Sequence, residues 1–176
     1  MTRISALAVV LCLSGFCYGT TVIPMSVEQL THAASRVVEG QVLTSWSVWN
    51  KEHTRIYTYS RVRVGRVLKG NPEAEITVQQ VGGSAGGYTM KVSGVRILRP
   101  GEEALLFVRP SASNVVTWAV VGLMQGHFRV RTVRGVARAS NGIRQARSAA
   151  SQSPSGLGDD QTLKELESRV HGALTQ

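Results

Sequence analysis

The alternation of apolar and polar positions divides the chain into short elements. Pro24 and Ser26 open a short helix, with Ser26 as cap and Gln29 three residues on as its capping-box partner. Val27, Leu30 and Ala34 then fall on one face. From Arg36 the period shortens to two. Residues 36–46 read as a first strand and residues 56–68 as a long second one, joined by a polar connection over 49–55. In the second strand Val62 and Val64 share a face, but Val67 falls one residue out of step. Gly65 sits at the break, so a bulge there restores the register and bends the strand.

Lys69-Gly70-Asn71-Pro72 reads as a turn, and residues 74–81 as a third strand with Ile76 and Val78 inward. Residues 82–94 carry five glycines and read as a flexible loop. Arg99-Pro100-Gly101-Glu102 suits a type II turn, with Pro and Gly at its two central positions. The run Ala104-Leu105-Leu106-Phe107-Val108 predicts a strand buried on both faces, under a helix. Further strands are expected over 115–121, 127–133 and 136–139, the last two as a hairpin across Arg134-Gly135. Residues 141–158 are rich in Ser, Ala, Gly and Gln and read as a flexible linker. The segment 159–176 reads as an amphipathic helix capped by Asp159 or Asp160. Leu163, Leu166, Val170 and Leu174 form its apolar stripe, which docks on the domain or meets a partner.

The expected architecture is mainly β: a small five- to six-stranded Greek-key barrel of the OB type over residues 20–140, with a short N-terminal helix and a C-terminal amphipathic helix. The length of 176 residues suits one domain with tails, and the composition excludes collagen, coiled coil and wholesale disorder. Residues 1–19 have the layout of a secretory signal: Arg3, an apolar stretch over 4–16, and small residues before a cleavage site expected after Gly19. That stretch is too short to span a bilayer. The expected location is therefore the periplasm or the exterior, with no transmembrane segment after cleavage. Both cysteines, Cys12 and Cys17, fall within the leader, so thiol catalysis and cysteine-held metals are excluded from the remainder.

Charge sharpens the picture. There are 20 Lys+Arg against 11 Asp+Glu, a formal +9. Residues 104–158 hold seven arginines and no acidic residue. Tyr57, Tyr59, Arg61 and Arg63 share one face of the second strand, and Arg129 and Arg131 share one face of a later strand. Interleaved aromatics and arginines of this kind stack on planar groups and hold anions, so these six residues are the candidate ligand-binding set. A solvated basic face that aids solubility is the competing reading.

Gly82-Gly83-Ser84-Ala85-Gly86 fits G-x-S-x-G, but no helical period follows it, as a hydrolase elbow requires. His32, His53, His127 and His171 have no ligand spacing and are expected to play separate surface or structural roles, so no metal and no cofactor is expected. The adjacent Glu102 and Glu103 are expected to be solvated.

Several phrases carry a likeness. They are Thr21-Val22-Ile23-Pro24-Met25-Ser26, Arg36-Val37-Val38-Glu39-Gly40-Gln41-Val42, Tyr57-Thr58-Tyr59, Val67-Leu68-Lys69-Gly70, Gln80-Val81-Gly82-Gly83, Arg99-Pro100-Gly101-Glu102 and Val121-Gly122-Leu123. Over residues 20–140 they resemble a widespread group of uncharacterised secreted bacterial proteins. More distantly, the order of parts is similar to the netrin-like, OB-type domain of tissue inhibitors of metalloproteinases. In that family an N-terminal cysteine reaches the protease zinc, whereas the chain expected here begins at Thr20 and lacks cysteine. The resemblance thus implies the barrel more than protease inhibition. The expected function is a non-catalytic binding module acting on an extracytoplasmic protein, such as a protease, as inhibitor or partner. The alternative is binding of a polyanion (polysaccharide, lipid headgroup or nucleic acid), and a hydrolase built on Ser84 is the third reading.

Overall fold

In a computed structural model of the chain, the described residues are 23–112, 116–143 and 161–176. The expected leader, with its cysteines, most of the linker, and Asp159 and Asp160 lie outside them. The elements are α1 (Val27–Ala33), β1 (Arg36–Trp49), β2 (Ile56–Lys69), β3 (Glu75–Val81), β4 (Gly83–Ala85), β5 (Tyr88–Met90), β6 (Glu103–Pro110), β7 (Trp118–Val120), β8 (His127–Val133), β9 (Val136–Ser140), β10 (Gln161–Thr162) and α2 (Leu163–Leu174).

The fold is mainly β, as expected, with a short helix near the start and another at the end. Eight strands form one mixed sheet in the order β1-β2-β3-β7-β6-β8-β9-β10. β1 also pairs antiparallel with β6, from Arg36 opposite Val108 to Gln41 opposite Glu103, which turns part of the sheet back on itself. β3 and β7 are joined by a single parallel pair, Val78 with Trp118, so the ring is partial. Curvature comes from unpaired residues in the long β1–β2 ladder. Glu39 faces Arg66 and Gly40 faces Val64, which leaves Gly65 out as the bulge that the phase break predicts; Leu68 and Leu43 are passed over in the same way.

Alternation sorts the apolar side chains into two cores. Val38, Val42, Val62, Ile76, Val78, Ala104, Leu106 and Val108 join across one face of the ring strands. Val37, Leu105, Phe107, Phe128 and Val130 face the other way and are covered by Val27 and Leu30 of α1 and Leu166 and Val170 of α2. β6 contributes to both, and each residue of Ala104–Val108 is fully buried. Burying a Leu, Phe or Val side chain contributes roughly 1.5–3 kcal/mol, so this strand anchors the fold.

The capping box of α1 forms as expected, with the Ser26 backbone donating to Gln29 at 2.7 Å and the Gln29 backbone donating to Ser26 Oγ at 3.1 Å. For α2 the cap is Thr162 rather than either aspartate, because Glu165 stands three residues on to complete the box. The helix docks on the domain, and Glu28 of α1 takes a forked ion pair from Arg169 at 2.9 and 3.0 Å. Its buried stripe is Leu163, Leu166, Val170 and Ala173; Leu174 is exposed instead.

The expected loop over 82–94 is in part a hairpin. Gly86 and Gly87 have φ of 58° and 80°, the pair of positive values that a two-residue β turn demands, and β4 and β5 flank it. β1 also runs three residues further than expected, to Trp49. Of the strand expected over 115–121, only Trp118–Val120 is a strand among the described residues.

Candidate functional site

The six candidate residues divide between two faces. On β2, Tyr57, Tyr59, Arg61 and Arg63 alternate with the buried Ile56, Thr58, Ser60 and Val62, so all four project together. Their cross-strand neighbours on β1 are Val48, Trp46, Thr44 and Gln41. Trp46 stacks on Tyr59 with ring centroids 5.8 Å apart and planes 21° from parallel. Trp46 is 46% exposed and Val48 43% exposed, which is high for large apolar side chains on a strand. Gln79 of β3 donates to the Tyr59 hydroxyl at 3.1 Å and steadies the ring from the far side. Glu75 stands opposite Arg63 and lies 3.8 Å from Arg61, so one carboxylate offsets part of the charge of the two arginines.

Arg129 and Arg131 do not join this surface. Arg129 of β8 lies opposite Ala104 of β6, and Ala104 belongs to the core that contains Val62. Arg63, by contrast, lies opposite Gln41, which lies opposite Glu103, which lies opposite Val130. Directly opposed residues point to the same side of a sheet. The two arginines of β8 therefore emerge on the face away from the tyrosines.

There Arg129 belongs to a buried polar network, with Arg131 exposed beside it. Pro100 and Gly101 form the expected turn, with Gly101 at φ 80° and the Glu102 backbone donating to Arg99 O at 3.0 Å. The turn delivers Glu102 into the protein rather than into water, contrary to the sequence expectation; only Glu103 is exposed. The cause is phase: Glu102 shares the face of Ala104 and Leu106, against which His127 and Arg129 pair. His127 Nε2 lies 2.6 Å from Glu102 Oε1, and Arg129 donates to Glu102 Oε2 at 2.8 Å. Arg96 donates to His127 O at 3.0 Å and stands 3.9 Å from Glu102.

Burial alone would raise the Glu102 pKa, but the hydrogen bonds from His127 and Arg129 outweigh it and hold the carboxyl at about 2. Burial holds His127 below its ordinary value, against the pull of Glu102. Its Nε2 faces the carboxylate. Its Nδ1 faces Arg96 O at 3.3 Å. Both ring nitrogens are turned toward protein atoms and the residue has no exposed surface, so the pair is placed to hold structure rather than to take a proton from a substrate. His32, His53 and His171 are exposed.

Ser84 sits on the β4–β5 hairpin, its hydroxyl 2.8 Å from that of Thr89. The strand-to-helix elbow that activates a serine in G-x-S-x-G is replaced here by a β turn. Gly83 serves packing: a Cβ there, at φ 124°, would run into the hydroxyls of Ser47 and Thr58. Among the described residues, no three His, Asp or Glu side chains gather as a metal site, and no helix is long and apolar enough to cross a membrane.

Trp46, Val48 and the Glu102–His127 pair escape sequence reasoning. A signal for the first two was present, since Thr44, Trp46 and Val48 alternate outward in a strand that was expected to stop at Trp46. No protein-family model and no curated protein matches the chain.

Proposed function

We propose that this chain is an exported, non-catalytic binding module that docks a protein partner on the outer face of β1 and β2. The Trp46–Tyr59 stack, with Trp46 exposed and Tyr59 half-buried, bordered by Val48 and Tyr57, carries the reading. Tryptophan, tyrosine and arginine are the side chains that concentrate binding energy at protein interfaces, and part-exposed aromatics held on a strand pair lose little entropy on docking. The charges around the stack favour a protein over a polyanion. Glu75 already offsets one of the two charges of Arg61 and Arg63, so the stack is an apolar centre with a mixed-charge rim.

The scaffold is a five-stranded Greek-key barrel of the OB type. Antiparallel pairing of β1 with β6 and parallel pairing of β3 with β7 support that reading, as does the bulged β2. The partner is an extracytoplasmic protein, such as a protease that the module inhibits or accompanies, in keeping with the expected leader over residues 1–19.

The test is capture from the extracytoplasmic fraction of producing cells by the immobilised 20–176 chain, with Trp46→Ala/Tyr59→Ala as the control bait. A protein held by the native chain and released by the double variant supports the docking face. Losing Trp46 alone is expected to cost about 2 kcal/mol, roughly thirtyfold in affinity. Identical recovery on both baits, or none on either, refutes it.

A further inference from the structure

The second face holds an arrangement that a protein-docking role for β1 and β2 does not use. Arg131 of β8 and Arg138 of β9 stand directly opposite each other, and Arg129 lies two residues from Arg131 on the same side, opposite Ser140. Like charges directly opposed across a strand pair cost stability. Arg96 adds a fourth guanidinium from the segment before β6, and the group tucks against Gly142, where a Cβ would come within 3.5 Å of its Nη1. Together they line a cleft of about 360 Å³ with Ser140. Arg138 has Glu165 within electrostatic reach. Among the described residues, the other three guanidiniums, Arg96, Arg129 and Arg131, face one carboxylate, Glu102 on Arg129, an excess of two positive charges. The Nε atoms of Arg96 and Arg129 are buried and, among the described residues, make no hydrogen bond.

We propose that this cleft binds a dianionic tetrahedral oxyanion, a phosphate or phosphomonoester group, held by Arg96, Arg129 and Arg131. Guanidinium forks match the oxygens of such a group, and a dianion balances the excess charge. The crowding of the cations is felt at Arg96, whose pKa burial lowers first, with Arg129, Arg131 and Arg99 pushing the same way. Glu102 acts here as a positioning residue. It fixes Arg129, and His127 fixes Glu102, so the donors are set before any ligand arrives.

The experiment is calorimetric titration of the 20–176 chain with inorganic phosphate and, separately, with glycerol phosphate. Chloride at matched ionic strength is the control. Saturable one-to-one binding that weakens roughly tenfold or more in Arg131→Gln is expected, the scale of one charge-assisted hydrogen bond. Arg131 is exposed and lies outside the Glu102 network, so this variant keeps the fold; a single cooperative unfolding transition at or above the native midpoint verifies it. Arg129→Lys keeps a charge beside Glu102 but loses the fork, and is expected to weaken binding as well. Tighter binding of glycerol phosphate identifies an esterified ligand, and tighter binding of inorganic phosphate the free ion. No saturable heat, equal affinity in Arg131→Gln, or displacement by chloride as effective as by phosphate overturns the proposal. Trp46→Ala/Tyr59→Ala is expected to leave phosphate affinity unchanged, so failure here is separable from failure of the docking face.

Discussion

Replacing Glu102 with glutamine is expected to remove most of the loss of stability that the native fold suffers in acid. In the folded chain the carboxyl titrates at about 2 instead of its ordinary 4.5. A carboxyl held that far down contributes about 3 kcal/mol of folding free energy when ionised. Because the folded value is the lower one, that contribution is fully present above pH 4.5 and disappears as the pH falls toward 2. His127 adds an earlier step of the same sign. Its folded pKa lies below its ordinary 6.5, so the unfolded chain takes up a proton first and stability begins to fall below that pH.

Glu28 also titrates at about 2, through its Arg169 partner, but its side chain is 40% exposed, so solvent screening limits it to about 1 kcal/mol or less. The assay is urea unfolding at about pH 7, 5 and 3 for the native chain, Glu102→Gln and Glu28→Gln, read as free energies from the midpoints and slopes. At pH 7 the Glu102 variant is expected to be about 3 kcal/mol less stable, since Arg129 and His127 lose their shared acceptor. Its curve then converges on the native one as the acid step is lost. A native chain and Glu102→Gln that lose equal stability between pH 5 and pH 3 would refute the reasoning.

Three further outcomes are expected. Arg131→Thr relieves the opposed charges and raises the melting temperature in phosphate-free buffer, by a degree or more for roughly 0.5 kcal/mol; scanning calorimetry without and with phosphate reads both the gain and its cancellation. Gly83→Ala forces a side chain against Ser47 and Thr58 at positive φ and lowers stability by about 2 kcal/mol or more, measurable by urea unfolding. Leu166→Ala opens a cavity between α2, α1 and the sheet, costing about 2–5 kcal/mol and loosening α2 first, which amide hydrogen exchange detects.

Elements were legible wherever a residue's role depends on its near neighbours. Ser26 and Gln29 predict their own cap, Val67 out of step with Val64 predicts the Gly65 bulge, and Ala104–Val108 predicts a strand covered on both sides. The site was legible only in part, because it depends on register between strands far apart in the chain. Tyr57 to Arg63 could be grouped by counting along β2. Whether Arg129 joins them depends on how β1 and β6 carry the phase from one strand to the other, and that pairing has no local mark. Glu102 lies 25 residues from His127 in sequence and meets it only because β6 and β8 are neighbours. A buried carboxylate therefore looked, one strand at a time, like a solvated one.

The contact between α1 and α2 has a temporal consequence. Val27 and Leu30, among the first residues of the fold to be synthesised, find their cover in Leu166 and Val170, among the last. Until α2 is delivered, α1 and the adjoining side of β6 and β8 keep an oily surface bare. Completion of the fold must wait for that helix, and any truncation upstream of Leu163 leaves a product that invites aggregation or proteolysis.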